Sequence, residues 1–365
     1  MAFSIPRHKS DFWTWITISI IAILCILLIL PILRVLTLGF VDPDTGNLTL
    51  GNFIEVFTRN YYLNGLKNTL FVGVAGTLGA CLIGIPLAFF TTRFLITGKT
   101  LISTLAILVL VSPPFISAYA WIMMMGSNGV ITNFFGGIGI NIPTIYGAHG
   151  IILVFSLKFF PFIFLMTQTA LTAVNKSFED AAENLGCSPW QRFVKVTLPL
   201  VFPAVSTGAI ICFVLSIADF GTPAILGRGF RTLSTIALSA YRSELGGPPT
   251  MAVTVSILMM AISMIALVAQ RRILANRRYA SSLTNLPVAV KLSGWKNAAV
   301  HFFSHGIVFL AMLPSTVVVY TSFLKTKGPV FVGGFGFESY DRIWRDAPDA
   351  IYQGGVFTAD GIHEE

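Results

Sequence analysis

Charged residues are scarce in this chain, since aspartate, glutamate, lysine and arginine together make up 11% of its 365 residues. Apolar residues make up 55%, and the mean hydropathy is +0.78. A soluble protein of this length could not bury so much apolar surface, so the bilayer must act as the solvent for much of the chain. The scarcity of charge therefore excludes an ordinary soluble domain.

Cysteine and histidine are also scarce, and neither forms a disulfide or metal-binding pattern. The four cysteines share no short spacing, and three of them (Cys25, Cys81 and Cys212) lie within apolar runs. They are therefore predicted to be small core residues. His301 and His305 could share one helix face, but no third ligand accompanies them. We expect no metal site in this chain.

The sequence lacks a nucleotide-binding motif and a set of catalytic residues. Gly98-Lys99-Thr100 is similar to the end of a phosphate-binding loop, but Arg93 stands where that loop requires a glycine. No serine, histidine and aspartate set and no convergent pair of carboxylates occurs in a polar context. We therefore expect a protein that is not an enzyme and that binds no cofactor itself.

The net charge is +8, yet the basic residues do not form the aromatic-interleaved patch of a nucleic-acid-binding domain. They instead flank apolar runs, which is typical of membrane topology. Lys and Arg are more frequent in the segments that share a side with the N-terminus, most clearly at Arg271-Arg272 and Arg277-Arg278. This distribution predicts a cytoplasmic N-terminus and no nucleic-acid partner.

Seven apolar runs are long enough to cross a bilayer, which takes about 20 helical residues. The first run is too long, and too free of a small-residue cleavage site, to be a removable signal peptide. The sequence therefore predicts an all-α fold, a polytopic transmembrane helical bundle of about seven spans. The predicted spans are 12–33, 66–91, 101–125, 147–171, 200–224, 250–270 and 298–323.

A faint internal repeat predicts the domain organisation. The pattern around Pro31 and Leu50–Phe57 recurs around Pro314 and Phe337–Trp344. Such a repeat indicates that a second copy of the first unit begins, and that the chain is a shortened form of a two-unit protein. The hypothesis divides the chain into a first six-span unit (1–285), the first span and outer segment of an incomplete second unit (286–345) and a polar tail (346–365).

A polar insert at 177–199 separates two long apolar runs and contains two sets of helix signals. Ser177 is placed to cap a first short helix, with Asp180 at its third position, and Gly186 supplies the positive φ that ends it. Ser188 is placed to cap a second helix through a capping box. Two short helices joined by a glycine corner on the membrane surface indicate a docking element.

An ordinary amphipathic surface loop is the alternative interpretation of this insert. Trp190, Phe193 and Val194 would then lie in the lipid headgroup region without a protein partner. The spacing of the helix signals favours the docking element.

Lys158 and Asp219 are charged residues well inside the apolar runs. Charge at such depth costs free energy, so each is expected either to line a water-filled transport path or to pair locally. Pro161 can bend the span that contains Lys158, and Ser112-Pro113-Pro114 predicts a helix break in the third span. Lys158 and Asp219 are therefore candidates for the transport path.

The insert also matches a known motif. It runs Asp180-Ala181-Ala182, three residues, Gly186, nine residues, Val196-Thr197-Leu198-Pro199, and resembles the coupling loop of ABC importer permeases, Glu-Ala-Ala-x3-Gly-x9-Ile-x-Leu-Pro. Asp180 stands for the glutamate and Val196 for the isoleucine, while Glu179 can supply the longer carboxylate. The resemblance implies that this loop docks on a separate ABC ATPase subunit. That subunit would bind ATP and rock the spans between inward-open and outward-open states.

Four further segments resemble the ferric-iron importer permeases of the bacterial inner membrane, which contain two fused six-span units. The resemblance implies ferric iron delivered by a periplasmic binding protein, and a second permease unit to supply a second coupling loop. Related permeases import polyamines, thiamine, sulfate or phosphonates, so these substrates stay open. An ion-coupled secondary transporter and a non-functional truncated remnant are the alternatives from other classes. The four segments are Ser112–Trp121, Gly126–Ile131, Lys158–Phe162 and Asp219–Pro223.

Overall fold

The computed structural model describes residues 12–42, 45–243, 249–275, 289–327 and 330–337, together with Tyr340, Asp341 and Trp344. Regular structure in these residues is helical apart from one antiparallel hairpin of two short strands. The helices are α1 (Phe12–Leu38), α2 (Gly51–Thr58), α3 (Asn60–Arg93), α4 (Lys99–Val111), α5 (Pro114–Met125), α6 (Val130–Gly137), α7 (Ala148–Ala173), α8 (Lys176–Asn184), α9 (Pro189–Arg192), α10 (Leu198–Ala218), α11 (Gly221–Leu226), α12 (Leu233–Ser243), α13 (Thr250–Ala275) and α14 (Gly294–Ser322). The strands are β1 (Leu324–Lys327) and β2 (Val330–Phe335).

The predicted polytopic helical bundle is confirmed. Among the residues described, six helices are long and apolar enough to cross a membrane, or up to seven if one bent pair counts as a span. The six are Phe12–Leu38, Asn60–Arg93, Ala148–Ala173, Pro189–Ala218, Thr250–Ala275 and Gly294–Ser322.

The third predicted span, 101–125, is not one straight helix. The segments Lys99–Val111 and Pro114–Gly137 meet at an angle of 105°. Pro113 and Pro114 lack the N–H groups that would continue α4, and Pro114 instead takes the first position of α5, where no N–H is needed. The predicted helix break is therefore confirmed, and its sharp angle makes this region a broken span or a re-entrant loop.

The core is centred on α7, which packs against α3 and α10. Phe155, Phe160 and Phe164 of α7 are fully buried. Glycines let the neighbouring backbones approach: a Cβ on Gly84 of α3 would lie 3.0 Å from the Phe160 carbonyl oxygen, and one on Gly208 of α10 would lie 2.8 Å from the Ile163 Cα. Small residues at such contacts are the usual way for membrane helices to gain close packing.

Helix α1 lies outside this core, and none of its side chains is buried. Its end is held by the carbonyl oxygen of Gly39, which accepts hydrogen bonds from Thr254 Oγ1 (3.1 Å) and Asn52 Nδ2 (3.2 Å). An apolar helix exposed on every side requires an apolar solvent, so α1 fits a lipid environment.

Segments predicted to lie on one side of the membrane meet at one end of the bundle. The Leu95 N–H donates to the Val290 carbonyl oxygen (3.1 Å), and the Thr97 N–H donates to His301 Nε2 (3.2 Å). At the other end, Asn68 Nδ2 donates to the Arg231 carbonyl oxygen (2.8 Å). This separation agrees with the alternation of the spans, while a cytoplasmic N-terminus stays a prediction.

The proposed domain boundary at 285 falls outside the described residues, as does the tail 346–365. Helix α14, which follows the boundary, packs against α4 and α5 of the first unit. Its Val300, Ser304 and Val308 are buried there. The start of the predicted second unit therefore shares the core of the first.

The glycine contact between α10 and α7 gives a stability prediction. We expect Gly208→Ala to destabilise the protein by about 1–3 kcal/mol, because the new Cβ would overlap the Ile163 backbone. Gly306→Ala in α14 is the matched control, because no atom lies within 4 Å of its Cβ position, and it should be neutral or slightly stabilising. Thermal unfolding in detergent measures both, and equal midpoints would contradict this view of the core.

Candidate functional site

The first helix of the insert, α8, begins two residues earlier than the sequence indicated. Asn175 is its cap, and Asn175 Oδ1 accepts a hydrogen bond from the Ser177 N–H (2.9 Å). The prediction that Ser177 caps the helix is wrong, because asparagine caps as well as serine and Asn175 already has the extended backbone of a cap. Asp180 is consequently the fifth helical residue, not the third, and Glu179 is the acidic residue of the first turn.

The predicted glycine corner is confirmed. Gly186 has φ +82°, and its N–H donates to the Glu183 carbonyl oxygen (2.8 Å), while the Cys187 N–H donates to that of Ala182 (3.0 Å). These two bonds form a Schellman motif, which ends α8. Glu183 also pairs with Arg192 across the corner. The turn between the two helices is therefore fixed by the backbone and by one ion pair.

The second helix has the predicted capping box, but it is not a separate short helix. Ser188 Oγ accepts from the Gln191 N–H (3.3 Å), and Gln191 Oε1 accepts from the Ser188 N–H (3.0 Å). After α9 the chain continues through a π-helical turn, Phe193–Thr197, directly into the span α10. Pro199 explains the wider turn, because its ring would clash with the preceding backbone of a regular α-helix.

A buried ion pair ties the insert to the membrane core. Arg93, at the end of α3, places Nη2 2.6 Å from Glu179 Oε1, and the two side chains are 8% and 18% exposed. Thr197 Oγ1 donates to the same carboxylate oxygen (2.8 Å). Glu179 therefore joins α3, α8 and the π-helical turn. Arg93 was not predicted as a site residue, because an arginine at the end of an apolar run looks like an ordinary topology signal.

The other predicted loop residues differ in how far they are buried. Asp180 is half-buried and lines a groove of about 340 Å³ together with Arg93, Glu179 and Phe193. Ala181 is exposed and Ala182 is buried, so one face of α8 packs inward. The remaining predicted residues, Val196, Leu198 and Pro199, are half-buried where the insert enters α10.

The outer face of the insert presents apolar side chains. Leu185 is 84% exposed and Trp190 is 71% exposed, and Phe178 of α8 is exposed as well. The Trp190 ring packs on Phe193, with centroids 5.8 Å apart, so the indole is held from one side. Exposed apolar groups on a rigid corner are typical of a surface that binds a protein partner.

Lys158 and Asp219 meet inside the bundle. Lys158 Nζ lies 2.7 Å from Asp219 Oδ2. Asp219 also accepts hydrogen bonds from Thr222, with Oδ1 taking the N–H (3.0 Å) and Oδ2 taking the hydroxyl (3.1 Å). The carboxylate thus fixes the start of α11, and the two candidate path residues pair with each other, which the sequence left open.

The same pair lines a cavity of about 390 Å³ where two helix breaks face each other. One break is Ser112–Pro114, and the other follows Ala218 at the end of α10. Phe115 and Phe220, one from each break, pack edge to face with centroids 5.1 Å apart. Non-helical backbone at membrane depth is tolerated where it packs on protein or lines a cavity.

The two histidines of α14 have structural partners. His301 Nδ1 lies 2.9 Å from the Asn297 carbonyl oxygen and His305 Nδ1 lies 2.9 Å from that of His301, while His301 Nε2 accepts from Thr97. Within the described ranges no group of three or more histidine, cysteine or acidic residues is placed to hold a metal ion.

Two solved structures share this fold. One chain of a bacterial ABC transporter involved in the import of the acidic polysaccharide alginate superposes with a TM-score of 0.59 at 19% identity, covering 73% of this chain and 97% of that chain. A structure of the bacterial alginate ABC transporter in complex with an alginate pentasaccharide-bound periplasmic protein gives a TM-score of 0.60 at 16% identity. The superposition covers 73% of this chain and 95% of that chain. At these identities the likeness shows the fold alone.

Curated relatives differ in what their names say they transport. The ferric transport system permease protein FbpB of Actinobacillus pleuropneumoniae is 31% identical over 189 residues, which are 51% of this chain and 26% of that protein. The sulfate transport system permease protein CysT of Escherichia coli is 26% identical over 187 residues, which are 51% of this chain and 67% of that protein. The molybdenum transport system permease protein ModB of Escherichia coli is 31% identical over 139 residues, which are 38% of this chain and 60% of that protein. The chain thus spans about a quarter of the length of the ferric relative.

A family model covers the region that contains both candidate sites. It is the binding-protein-dependent transport system inner membrane component, and it matches residues 80–279, which is 200 of the 365 residues. The match includes the insert, both helix breaks and the Lys158–Asp219 pair. The chain therefore belongs to the family of binding-protein-dependent transport system inner membrane components.

Proposed function

We propose that this chain is the permease subunit of an ABC importer and that the corner formed by α8 and α9 docks on a separate ATPase subunit. The observation that supports this most is the rigid corner itself, which is tied inward by Glu179 and presents Leu185 and Trp190 outward. The chain has no phosphate-binding loop of its own, so ATP would be bound by the partner. A periplasmic binding protein would deliver the substrate.

The contacts of the corner suggest how movement would reach the transport path. Arg93 joins the corner to α3, and the π-helical turn joins it to α10 without a break. Helix α3 packs along α7, which contains Lys158, and α10 leads directly to Asp219. A displacement of the corner would therefore move the two sides of the cavity relative to each other, which is how lid and domain motions gate a site.

We propose ferric iron as the substrate, supported by the ferric relative and by the four segments that resemble ferric-iron permeases. The sulfate and molybdenum relatives, at 26% and 31% identity, make inorganic oxyanions the second candidate. In either case a second permease unit would supply a second coupling loop, so that two ATPase subunits could be engaged.

An ion-coupled secondary transporter is a weaker candidate. Such a protein needs an intramembrane carboxylate that is free to bind and release the coupling ion. Asp219 is instead paired with Lys158 and accepts two further hydrogen bonds from Thr222. The corner, which an ion-coupled carrier would not need, favours ATP-driven transport.

The docking role of the corner gives a test with a matched control. Gly186 and Gly229 both have positive φ (+82° and +97°) with open space around their Cβ positions, but they lie in different loops. Valine costs about 1–2 kcal/mol in this conformation. We expect Gly186→Val to weaken binding of the ATPase subunit by about 5- to 30-fold, because the corner opens. Gly229→Val should leave that binding unchanged.

Copurification of the ATPase subunit with the full chain, and ATP hydrolysis stimulated by the binding protein in liposomes, measure this effect. Loss of coupling in Gly186→Val alone supports the docking role. Equal coupling in the two valine variants would show that the corner is not the docking element.

The two ion pairs of the insert give a second prediction. Arg93→Met should destabilise the protein by roughly 3–5 kcal/mol, because it leaves Glu179 without its partner in a largely buried position. Arg192→Met is the matched control, because Glu183 is 62% exposed and water can replace the arginine, so we expect less than about 1 kcal/mol.

Thermal unfolding and hydrogen exchange of residues 176–199 would measure both variants. Arg93→Met should also raise exchange along α8. Similar effects of the two substitutions would mean that the buried pair does not hold the insert in place.

A further inference from the structure

We propose that the cavity at Lys158 receives the substrate through anionic oxygen atoms and disfavours free cations. This inference rests on the proposed function, because it assigns the cavity between the two helix breaks to the transport path. The Lys158–Asp219 pair leaves part of its hydrogen-bonding capacity unused, and this capacity belongs to the lysine.

Asp219 has little capacity left for a ligand. Its two carboxylate oxygens accept from Lys158 Nζ, from the Thr222 N–H and from the Thr222 hydroxyl, at 2.7, 3.0 and 3.1 Å. Its side chain is 3% exposed. The negative charge is therefore neutralised, and it is enclosed where a passing cation could not reach it without breaking these bonds.

Lys158 is the accessible member of the pair. Its side chain is 11% exposed, and one ammonium has three N–H donors, of which Asp219 takes one. Lys158 lines both the cavity of about 390 Å³ and a smaller void beside it. Lys158 Nζ also lies over the Phe159 ring, 5.0 Å from its centroid, and two of its donors have no hydrogen-bond partner among the described residues.

The groups around Lys158 add donors but no further negative charge. Three serine hydroxyls and the indole of Trp121, which has one N–H donor, line these two spaces, and apart from the ion pair the other lining side chains are apolar. Among the lining residues that the structure describes, Asp219 is the sole carboxylate and Lys158 the sole cation. The serines are Ser112, Ser117 and Ser315. A cavity of this composition favours oxygen acceptors with negative charge, such as an oxyanion or the carboxylates of a metal complex.

The position of Lys158 fits a point on the path. It is the eleventh residue of the 26-residue helix α7, so it lies near the middle of that span. The breaks at Ser112–Pro114 and after Ala218 bring non-helical backbone to the same depth. Sulfate or molybdate and ferric citrate share the required chemistry, whereas a polyamine such as spermidine does not.

The test is equilibrium binding of radiolabelled sulfate, molybdate, ferric citrate and spermidine to the purified full chain in phosphatidylcholine nanodiscs. Asp219→Asn removes the carboxylate that competes with an anionic ligand for the Lys158 ammonium. This variant should therefore bind at least one of the three anionic probes about tenfold or more tightly than the wild type does. The double variant Lys158→Met with Asp219→Asn contains no buried charge to leave unpaired, and it should bind the anions more weakly than the wild type does, because the ammonium is gone. Citrate without iron separates a metal complex from its free ligand.

The surface pair Arg59–Glu55 supplies the matched control, because its members are 68% and 31% exposed. Arg59→Met with Glu55→Gln should leave all binding unchanged. Spermidine bound more tightly than the anions would overturn the proposal. So would equal anion binding by the wild type and the Lys158 double variant, or no anion binding by Asp219→Asn. If the asparagine variant does not fold, the comparison of wild type with the double variant decides.

These measurements need no ATPase, so their outcome is independent of the coupling test. If Gly186→Val loses coupling and no variant binds anions, the cavity assignment is refuted and the docking role of the corner stands. Anion binding without any coupling effect would leave the cavity as a binding site and refute the docking corner.

Discussion

The ion pair between Arg93 and Glu179 is the interaction on which the candidate coupling surface depends. Taking two charges out of water costs several kcal/mol per ion, and only good geometry with further hydrogen bonds compensates. Here Thr197 supplies a further bond to Glu179, at 2.8 Å, while Arg93 Nε and Nη1 are buried without a partner among the described atoms. Since the three residues come from α3, α8 and the π-helical turn, one carboxylate fixes the position of the whole corner. Leu185 and Trp190 are thereby presented from a rigid base.

Backbone hydrogen bonding in the membrane explains where the second site lies. Each helix break leaves N–H and C=O groups that lipid cannot satisfy, so such backbone must pack within the protein. The breaks at Ser112–Pro114 and after Ala218 pack on each other, and a Cβ on Gly221 would lie 3.2 Å from Pro114. Asp219 satisfies the Thr222 N–H directly. Polar groups at membrane depth therefore gather around one cavity, where Lys158 can also be paired.

Local signals in the sequence predicted much of this structure. Long apolar runs predicted the helical bundle, the prolines predicted the break after α4, and the capping box and Gly186 predicted the corner. The 105° bend could not be predicted, because a proline ends a helix without fixing the direction in which the chain continues. The pairings of Arg93 with Glu179 and of Lys158 with Asp219 join residues 86 and 61 positions apart, so they depend on helix packing.

The two buried ion pairs have different roles, and the identity of the cation in each pair explains the difference. Arginine has a planar group that is always charged and that holds a fixed geometry, which suits a permanent link between helices. Lysine has a compact ammonium on a flexible stem, with three donors that can turn toward different acceptors. At Glu179 the cation is the less exposed partner, whereas at Asp219 it is the more exposed one. Arg93 therefore serves as a fixed joint between helices, while Lys158 would keep donors free for the proposed ligand.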